Sequence, residues 1–480
     1  MVYMLRGMVF SIALGFASHG LAQPSDSEGA QKLVRLDVAA TNAAGDPVTD
    51  LHAAEIQIRE DGKLRPLVFS RFAGNKRPLA PAAPGEFVNS PAPAPTLILL
   101  DRWNERMMTT AAAWSGITAG LQRMESVDRV YIYFLTNHGD LFPVHPLPAT
   151  DADLRDAPAP SAKELSAKLD DAVRKLQGFR DIDVQDPVLR ANTTFQALSA
   201  LGTQMASISG RKNLIWVTHG IPLLTRLLNG EWVDFTPQVR SFSAAAAHSQ
   251  IAMYTVQESA QGAGADPIGE SRPTLQMFSA LTGGRWYPSD DVDRALADSL
   301  ADSRGRYRVA YYSPIREKDR KEHKIRFDST RKGVHLLARE GYFPDVAEPD
   351  TDVVEDAVFN GERRSPLEAT EILLQVGVSR NAEKKTIHLD IRIDPADLFL
   401  ERRGEKYQGG VGVMLAFYSN GFLKKASPAR NVDIDLTQQQ FEKGIVIPED
   451  TPDYEGIEKI RVMVFDRGLH GLGSVTIPAQ

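Results

Sequence analysis

Long apolar runs alternate with helix-like stretches through the middle of the chain. Residues 97–100 are continuously apolar and end in Asp101, which is typical of a strand buried on both faces of a parallel sheet. Residues 214–217 and 251–256 repeat this pattern, and the stretches between them have helical composition. Strands that alternate with helices predict an α/β domain over residues 96–343, with a doubly wound, mostly parallel sheet.

The two ends of the chain instead show the two-residue alternation of half-buried strands. Ile56 and Ile58 alternate with polar residues before a Glu-Asp-Gly turn, which predicts a small N-terminal β unit over residues 33–73. Residues 367–480 lack a helical period and contain roughly seven candidate strands. A β-sandwich of immunoglobulin-like size is therefore predicted at the C-terminus.

Two segments have the composition of linkers. Residues 74–95 contain six prolines separated mainly by alanines, which favours an extended conformation over helix or central strand. Residues 344–366 include a dense acidic stretch around Pro349, which predicts an exposed acidic linker. These two segments separate the α/β domain from the β parts on either side.

The N-terminus has the pattern of a cleaved secretory signal over residues 1–22. Arg6 supplies the positive charge, residues 8–17 are a short apolar run, and Gly20 and Ala22 are the small residues before the cut. No later run approaches the ~18 apolar residues that a spanning helix needs, so no membrane span is expected in the mature chain. We therefore predict export to the periplasm or the extracellular space.

The composition of the chain excludes several kinds of functional site. The chain contains no cysteine, which excludes disulfides, thiolate metal sites and a cysteine nucleophile. Its 55 Lys and Arg residues against 62 Asp and Glu give a net charge of −7, which argues against a nucleic-acid partner. The catalytic motifs Gly-x-Ser-x-Gly and His-Glu-x-x-His, and the glycine-rich phosphate-binding loops, are missing from the sequence. A non-enzymatic protein is predicted.

One group of polar residues lies where α/β proteins bind ligands. Asp101 ends the first sheet strand, Thr193 and Thr194 precede a helix, and His219 follows the strand at residues 214–217. Because the carboxyl ends of parallel strands meet at one edge, these residues are expected to form a rim that holds a metal or an acidic ligand. In the alternative interpretation, Asp101 caps the segment after its strand and His219 is a turn residue.

Three segments resemble a von Willebrand factor A domain, namely residues 96–101, 193–198 and 210–220. The last of them reads Gly-Arg-Lys-Asn-Leu-Ile-Trp-Val-Thr-His-Gly. Further segments are similar to the exported bacterial VWFA-related proteins of the Acidobacteria type, namely residues 46–51, 55–56, 60–63, 281–287 and 339–343. The resemblance covers about residues 33–343. It implies a Rossmann-like von Willebrand A fold.

That family is known for a metal-ion-dependent adhesion site. An Asp-x-Ser-x-Ser loop, a Thr and a further Asp hold Mg²⁺ and leave one position for a partner's carboxylate. In this chain Trp103 and Glu105 stand in the two Ser positions. The resemblance therefore implies a degenerate site with the candidate ligands Asp101, Glu105, Thr193, Thr194 and His219. Either it holds no metal, or Mg²⁺, Mn²⁺ or Zn²⁺ is bound by its acids and His219, with His138 or Asp140 nearby.

The same rim supplies candidates for partner contact, namely Trp103, Asn104 and His138. Trp103 either packs beneath its loop or anchors a partner. We expect an exported, non-enzymatic protein-interaction or adhesion-type scaffold for an unidentified protein, which presents a carboxylate if a metal is held. The alternatives are a metal-assisted hydrolase with Glu105 as general base, or a purely structural envelope component.

Overall fold

The computed structural model describes residues 32–74, 83–90, 93–104, 110–124, 127–147, 160–177, 186–227, 229–258, 267–288, 291–315, 319, 321–344, 350–365 and 367–479. The signal peptide predicted for residues 1–22 and the predicted ligand Glu105 lie outside these residues.

Strands outnumber helices in the part of the chain that the structure describes. The strands are β1 Lys32–Asn42, β2 Ile56–Glu60, β3 Lys63–Arg65, β4 Leu67–Phe72, β5 Glu86–Val88, β6 Thr96–Asp101, β7 Val130–Leu135, β8 Leu141–His145, β9 Lys212–Thr218, β10 Leu224–Arg226, β11 Trp232–Asp234, β12 Ile251–Gln257, β13 Trp286–Pro288, β14 Arg306–Ser313, β15 His323–Ser329, β16 Val334–Leu337, β17 Gly341–Tyr342, β18 Leu374–Asn381, β19 Thr386–Ile393, β20 Glu401–Arg403, β21 Lys406–Ser419, β22 Phe422–Ala426, β23 Arg430–Thr437, β24 Ile445–Pro452, β25 Lys459–Asp466 and β26 Leu472–Pro478. The helices are α1 Thr110–Arg123, α2 Ala162–Gln177, α3 Pro187–Ala206, α4 Thr236–His248, α5 Pro267–Thr282, α6 Val292–Arg304, α7 Thr351–Glu362 and α8 Gln438–Lys443.

A six-stranded mixed sheet occupies the middle of the chain. Its order is β13-β12-β9-β6-β7-β8, with β8 antiparallel to β7 and the other pairs parallel. Leu97 and Leu99 pack into a core with α3, α4 and α5, whereas Ile98 and Leu100 pack into a second core with α1, α2 and α6. Both faces of β6 are therefore covered, which explains its uninterrupted apolar sequence.

The prediction of a doubly wound, mostly parallel sheet, Rossmann-like or of the von Willebrand A type, is wrong. Parallel pairing is confined to this one sheet, and every other described sheet is antiparallel. Strand β14, which lies within the predicted α/β domain, pairs antiparallel with β1 and β4 and not with the strands of the mixed sheet. An apolar run reveals that a strand is buried but not which strand lies beside it. The protein is a mixed α/β protein with several mostly antiparallel sheets.

The predicted N-terminal β unit does not form a sheet by itself. Its strands enter two four-stranded sheets, β16-β1-β14-β4 and β17-β15-β2-β3, each of which combines strands from before and after the mixed sheet. Val34 and Val38 of β1 share a core with Tyr307 and Val309 of β14. This pairing closes a loop of more than 250 residues, and the hydrogen bond between the Leu51 backbone N–H and the Tyr307 hydroxyl spans 256 positions.

The C-terminal part is built from two antiparallel sheets around one core. One sheet has the order β24-β19-β18-β5, and the other has the order β20-β21-β25-β26 with β22 and β23 also paired to β21. Ile387, Leu389 and Ile391 alternate into the shared core, as their spacing predicts. Strand β5 comes from the proline-rich segment at residues 74–95 and pairs with β18.

The segment predicted as an acidic linker contains helix α7. The Asp350 carboxylate caps it by accepting a hydrogen bond from the backbone N–H of Asp352. Phe359 is fully buried against Phe465 of β25, at a ring-centroid distance of 6.1 Å. The helix thus packs on the C-terminal sheets. Among the described helices, none has the length and apolar character needed to cross a membrane.

Candidate functional site

The predicted rim forms at the carboxyl edge of the mixed sheet, where β6 and β9 end side by side. Asp101 is 3% exposed, and its Oδ1 accepts a hydrogen bond from the Asn104 backbone N–H at 3.1 Å. Its Oδ2 accepts from Asn104 Nδ2 at 2.7 Å, Trp216 Nε1 at 3.1 Å and Thr218 Oγ1 at 2.7 Å. Four protein donors therefore surround this carboxylate, which is how a buried acid is stabilised.

The segment after β6 is fastened to helix α3. Trp103 Nε1 donates to the Arg190 carbonyl oxygen at 3.0 Å, and Arg190 Nη2 donates back to the Trp103 carbonyl oxygen at 3.1 Å. Thr194 Oγ1 donates to the same Arg190 carbonyl at 2.9 Å and accepts from Asn104 Nδ2 at 2.8 Å. Trp103 and Asn104 are buried, so neither side chain is presented to a partner.

The other predicted rim residues lie around this cluster. Thr193 is half-buried and packs beside Gly139, where an added Cβ would lie 2.8 Å from Thr193 Cγ2. His138 is exposed in the β7–β8 turn. His219 Nε2 lies 3.7 Å from Glu258 Oε2, so the imidazole is placed next to the acid that follows β12. Within the described residues, no three His, Asp or Glu side chains are arranged to hold a metal ion.

The rim is therefore a hydrogen-bonded polar cluster of Asp101, Asn104, Thr194, Trp216 and Thr218. Such a network fixes the ends of β6 and β9 relative to α3. Sequence reasoning missed Trp216, Thr218 and Arg190. The available signal was Thr218, a hydroxyl that directly ends an apolar strand next to the strand of Asp101.

A small hairpin extends from the same edge, between β9 and α4. In it β10 pairs antiparallel with β11, so that Arg226 lies opposite Trp232 and Thr225 opposite Val233. Thr225 is buried and Val233 packs on the core, whereas Trp232 and Leu224 are 66% and 51% exposed. Side chains alternate across a strand, so Leu224, Arg226, Trp232 and Asp234 share the outward face.

The hairpin is firmly attached to the sheet. The Phe235 backbone N–H donates to the Leu223 carbonyl at 2.9 Å, and the Phe235 ring is 1% exposed. Hydrogen bonds from Thr236 hold the pKa of Asp234 below its usual range, which keeps this acid ionised at the start of α4. The sequence signal for this hairpin is the turn pair Asn229-Gly230, which lies between two short stretches of alternating apolar and polar residues.

Comparison with known proteins adds no relative. No family model matches the chain, and no curated protein matches its sequence. The resemblance to exported VWFA-related proteins therefore stays a prediction from motifs. The fold and the carboxyl edge define a mixed α/β protein with an internally hydrogen-bonded rim and one outward-facing tryptophan hairpin.

Proposed function

We propose that this protein is an exported, non-enzymatic interaction scaffold that docks a protein partner through the β10–β11 hairpin. The observation that carries the proposal is the pair of outward-facing side chains, Trp232 and Leu224, on a hairpin anchored in the core. Tryptophan is the residue most enriched among interface anchors, and its ring loses little conformational entropy on binding.

Arg226 gives the docking face a polar contact. It lies opposite Trp232 in the hairpin register, and its side chain is exposed. Its Nε donates one long hydrogen bond, of 3.4 Å, to the Gly230 carbonyl oxygen. A guanidinium next to an aromatic ring suits a partner that offers an apolar pocket with a carboxylate at its margin. In this mechanism the partner's carboxylate pairs with Arg226 rather than with a metal.

The proposal uses no metal because the Asp101 carboxylate is already surrounded by protein donors. The signal-like pattern of residues 1–22 and the motif resemblance support export to the periplasm or the extracellular space. Both remain part of the proposal.

A pull-down from an envelope extract tests the docking face. Full-length protein and the double variant Leu224→Ala/Trp232→Ala would be compared by quantitative mass spectrometry. We expect at least one captured protein to fall more than tenfold in the double variant, because truncated anchors commonly cost about 2 kcal/mol or more. Arg226→Ala should reduce the same protein in a salt-dependent way.

Leu64→Ala is the matched control, because Leu64 is 56% exposed on another hairpin strand, β3. It should leave the capture unchanged. Equal capture by the Leu224→Ala/Trp232→Ala variant, or equal losses in both variants, would rule out the hairpin as the docking face.

A further inference from the structure

A large cavity lies at the opposite, amino edge of the mixed sheet. It has a volume of about 880 Å³ and is bounded by the starts of β9 and β12, the ends of α3 and α4, strands β1 and β14, and helix α7. Cavities of this size are typical of sites for small organic molecules. Its walls come from segments far apart in sequence, so the cavity exists only in the assembled fold.

The cavity wall carries an excess of positive charge. Eight Lys and Arg residues line it, against two acids, Asp37 and Glu371. Both acids are engaged by arginines: Glu371 Oε1 lies 2.7 Å from Arg308 Nη1, and Asp37 Oδ1 lies 3.4 Å from Arg306 Nη1. Burial alone would raise the pKa of Asp37, but Arg306 and Arg308 hold it below its usual range.

Three of these basic residues are deeply buried, and one of them, Arg308, pairs with Glu371. Lys212 and Arg211, at the start of β9, are 2% and 5% exposed. Lys212 Nζ donates to the Ile208 carbonyl at 2.6 Å, and Arg211 Nη2 donates to the Tyr254 hydroxyl at 3.0 Å and to the Gly283 carbonyl at 3.1 Å. Among the described residues, neither side chain lies within 4.0 Å of a carboxylate oxygen. Buried cations are costly unless an anion compensates them.

Polar atoms of the same wall lack a partner within the protein. Arg211 Nε and Ser243 Oγ, the latter on a side chain that is 1% exposed, accept or donate no hydrogen bond among the described residues. Arg240 Nε is in the same state. Buried polar groups normally find partners. Their concentration here favours a ligand that offers hydrogen-bond acceptors as well as negative charge.

Part of the cavity wall is apolar. Helix α7 contributes Val354, Ala357 and Val358, and the turn before β26 contributes Leu469, which is 1% exposed. A ligand that fills the cavity would thus contact both cations and aliphatic side chains. Inorganic anions would leave the apolar side uncovered.

We propose that this cavity binds an amphipathic organic anion, with its acidic group at Arg211 and Lys212 and its apolar part against helix α7. A carboxylate and a phosphate monoester share the required chemistry, because both offer anionic oxygens that accept hydrogen bonds from a guanidinium Nε and from an ammonium group. Burial lowers the pKa of Lys212 to about 7, although the carboxylates of Glu371 and Asp37 raise it.

Calorimetry with four probes on the full chain tests the proposal. Decanoate and decyl phosphate are the two anionic probes, decanol is the uncharged match, and inorganic phosphate is the match without an apolar part. We expect at least one of the two amphipathic anions to bind at least tenfold more tightly than either decanol or inorganic phosphate. The ratio of the two anions identifies the head group.

Lys212→Met tests the position of the head group. It should weaken binding of the preferred anion at least tenfold, and Ser243→Ala should weaken it less. Lys384→Met changes an exposed lysine and should leave binding unchanged. Thermal melting of each variant shows that it is folded. The proposal is overturned if neither anion binds at millimolar concentration, or if decanol or inorganic phosphate binds as tightly as the better of the two anions. It is also overturned if folded Lys212→Met retains the full affinity of wild type.

Discussion

The two edges of the mixed sheet differ in how many protein groups contact a buried charge. At the carboxyl edge the Asp101 carboxylate accepts four hydrogen bonds from protein donors. At the amino edge the Lys212 ammonium donates to one carbonyl and lines a cationic cavity. The same strand, β9, takes part in both arrangements. A charged residue at a strand end is a candidate for ligand binding where, as at Lys212, few protein groups contact its charge directly.

The largest expected effect is the loss of the Asp101 cluster. Asp101→Ala should lower the free energy of unfolding of the mixed sheet by about 3 to 5 kcal/mol, because four buried donors lose their acceptor. Hydrogen exchange of the β6 and β9 amides measures this loss. Asp140→Ala removes an exposed acid from the neighbouring turn and should change stability by less than about 0.5 kcal/mol. Similar effects of both variants would contradict a structural role for Asp101.

Lys212→Met should act in the opposite direction and stabilise the protein by about 2 to 4 kcal/mol near pH 6. Burial dominates the low pKa of Lys212; Glu371 and Asp37 raise this pKa, and Arg306 and Arg308 lower it further.

The gain from Lys212→Met has a defined pH dependence. Between the folded pKa of about 7 and the ordinary lysine value, the unfolded chain binds one more proton at Lys212 than the folded chain does. Wild-type stability therefore rises with pH relative to the variant, and the gain should shrink from pH 7 towards pH 10. Denaturation of both proteins at several pH values measures this difference. A pH-independent gain would mean that Lys212 stays protonated in the folded chain across this range.

Trp232→Phe should change stability by less than about 0.5 kcal/mol, because this side chain is largely exposed. Its effect should appear in fluorescence instead. Of the five tryptophans, Trp232 is expected to account for most of the quenching by iodide, whereas Trp103 and Trp216 are buried. Unchanged iodide quenching in the variant would show that the hairpin does not present Trp232 to solvent.

The smallest expected effect is that of divalent cations. Millimolar Mg²⁺, Mn²⁺ or Zn²⁺ should shift the melting temperature by less than about 1 °C, since a site with a dissociation constant well below the ligand concentration would shift it by several degrees. A saturable shift of the melting temperature that disappears in Asp101→Asn would show that the rim does bind a metal ion.

Local patterns predicted individual strands well. The boundaries of β6 at residues 96 and 101 match the apolar run, and Ile387, Leu389 and Ile391 alternate into the C-terminal core as their spacing predicts. The patterns could not predict which strands pair with each other. Strand β14 pairs with β1 across more than 260 positions, and nothing in either segment's own alternation specifies that contact.

The candidate site shows the same division. Sequence reasoning placed Asp101 at a strand end, which is correct, but its four donors come partly from β9, more than 110 positions away. Lys212 belonged to a segment that we used only for its resemblance to a known family. Its burial depends on β1, β14 and α7 closing over the start of β9, and no local pattern reveals this.

Thermal unfolding of wild type and Lys212→Met, each with and without the preferred amphipathic anion, tests the contrast between the two edges most directly. We predict that the variant melts at a higher temperature than wild type without ligand, and that the anion raises the melting temperature of wild type alone. A variant that is less stable than wild type, or one that gains as much from the anion, would contradict the account.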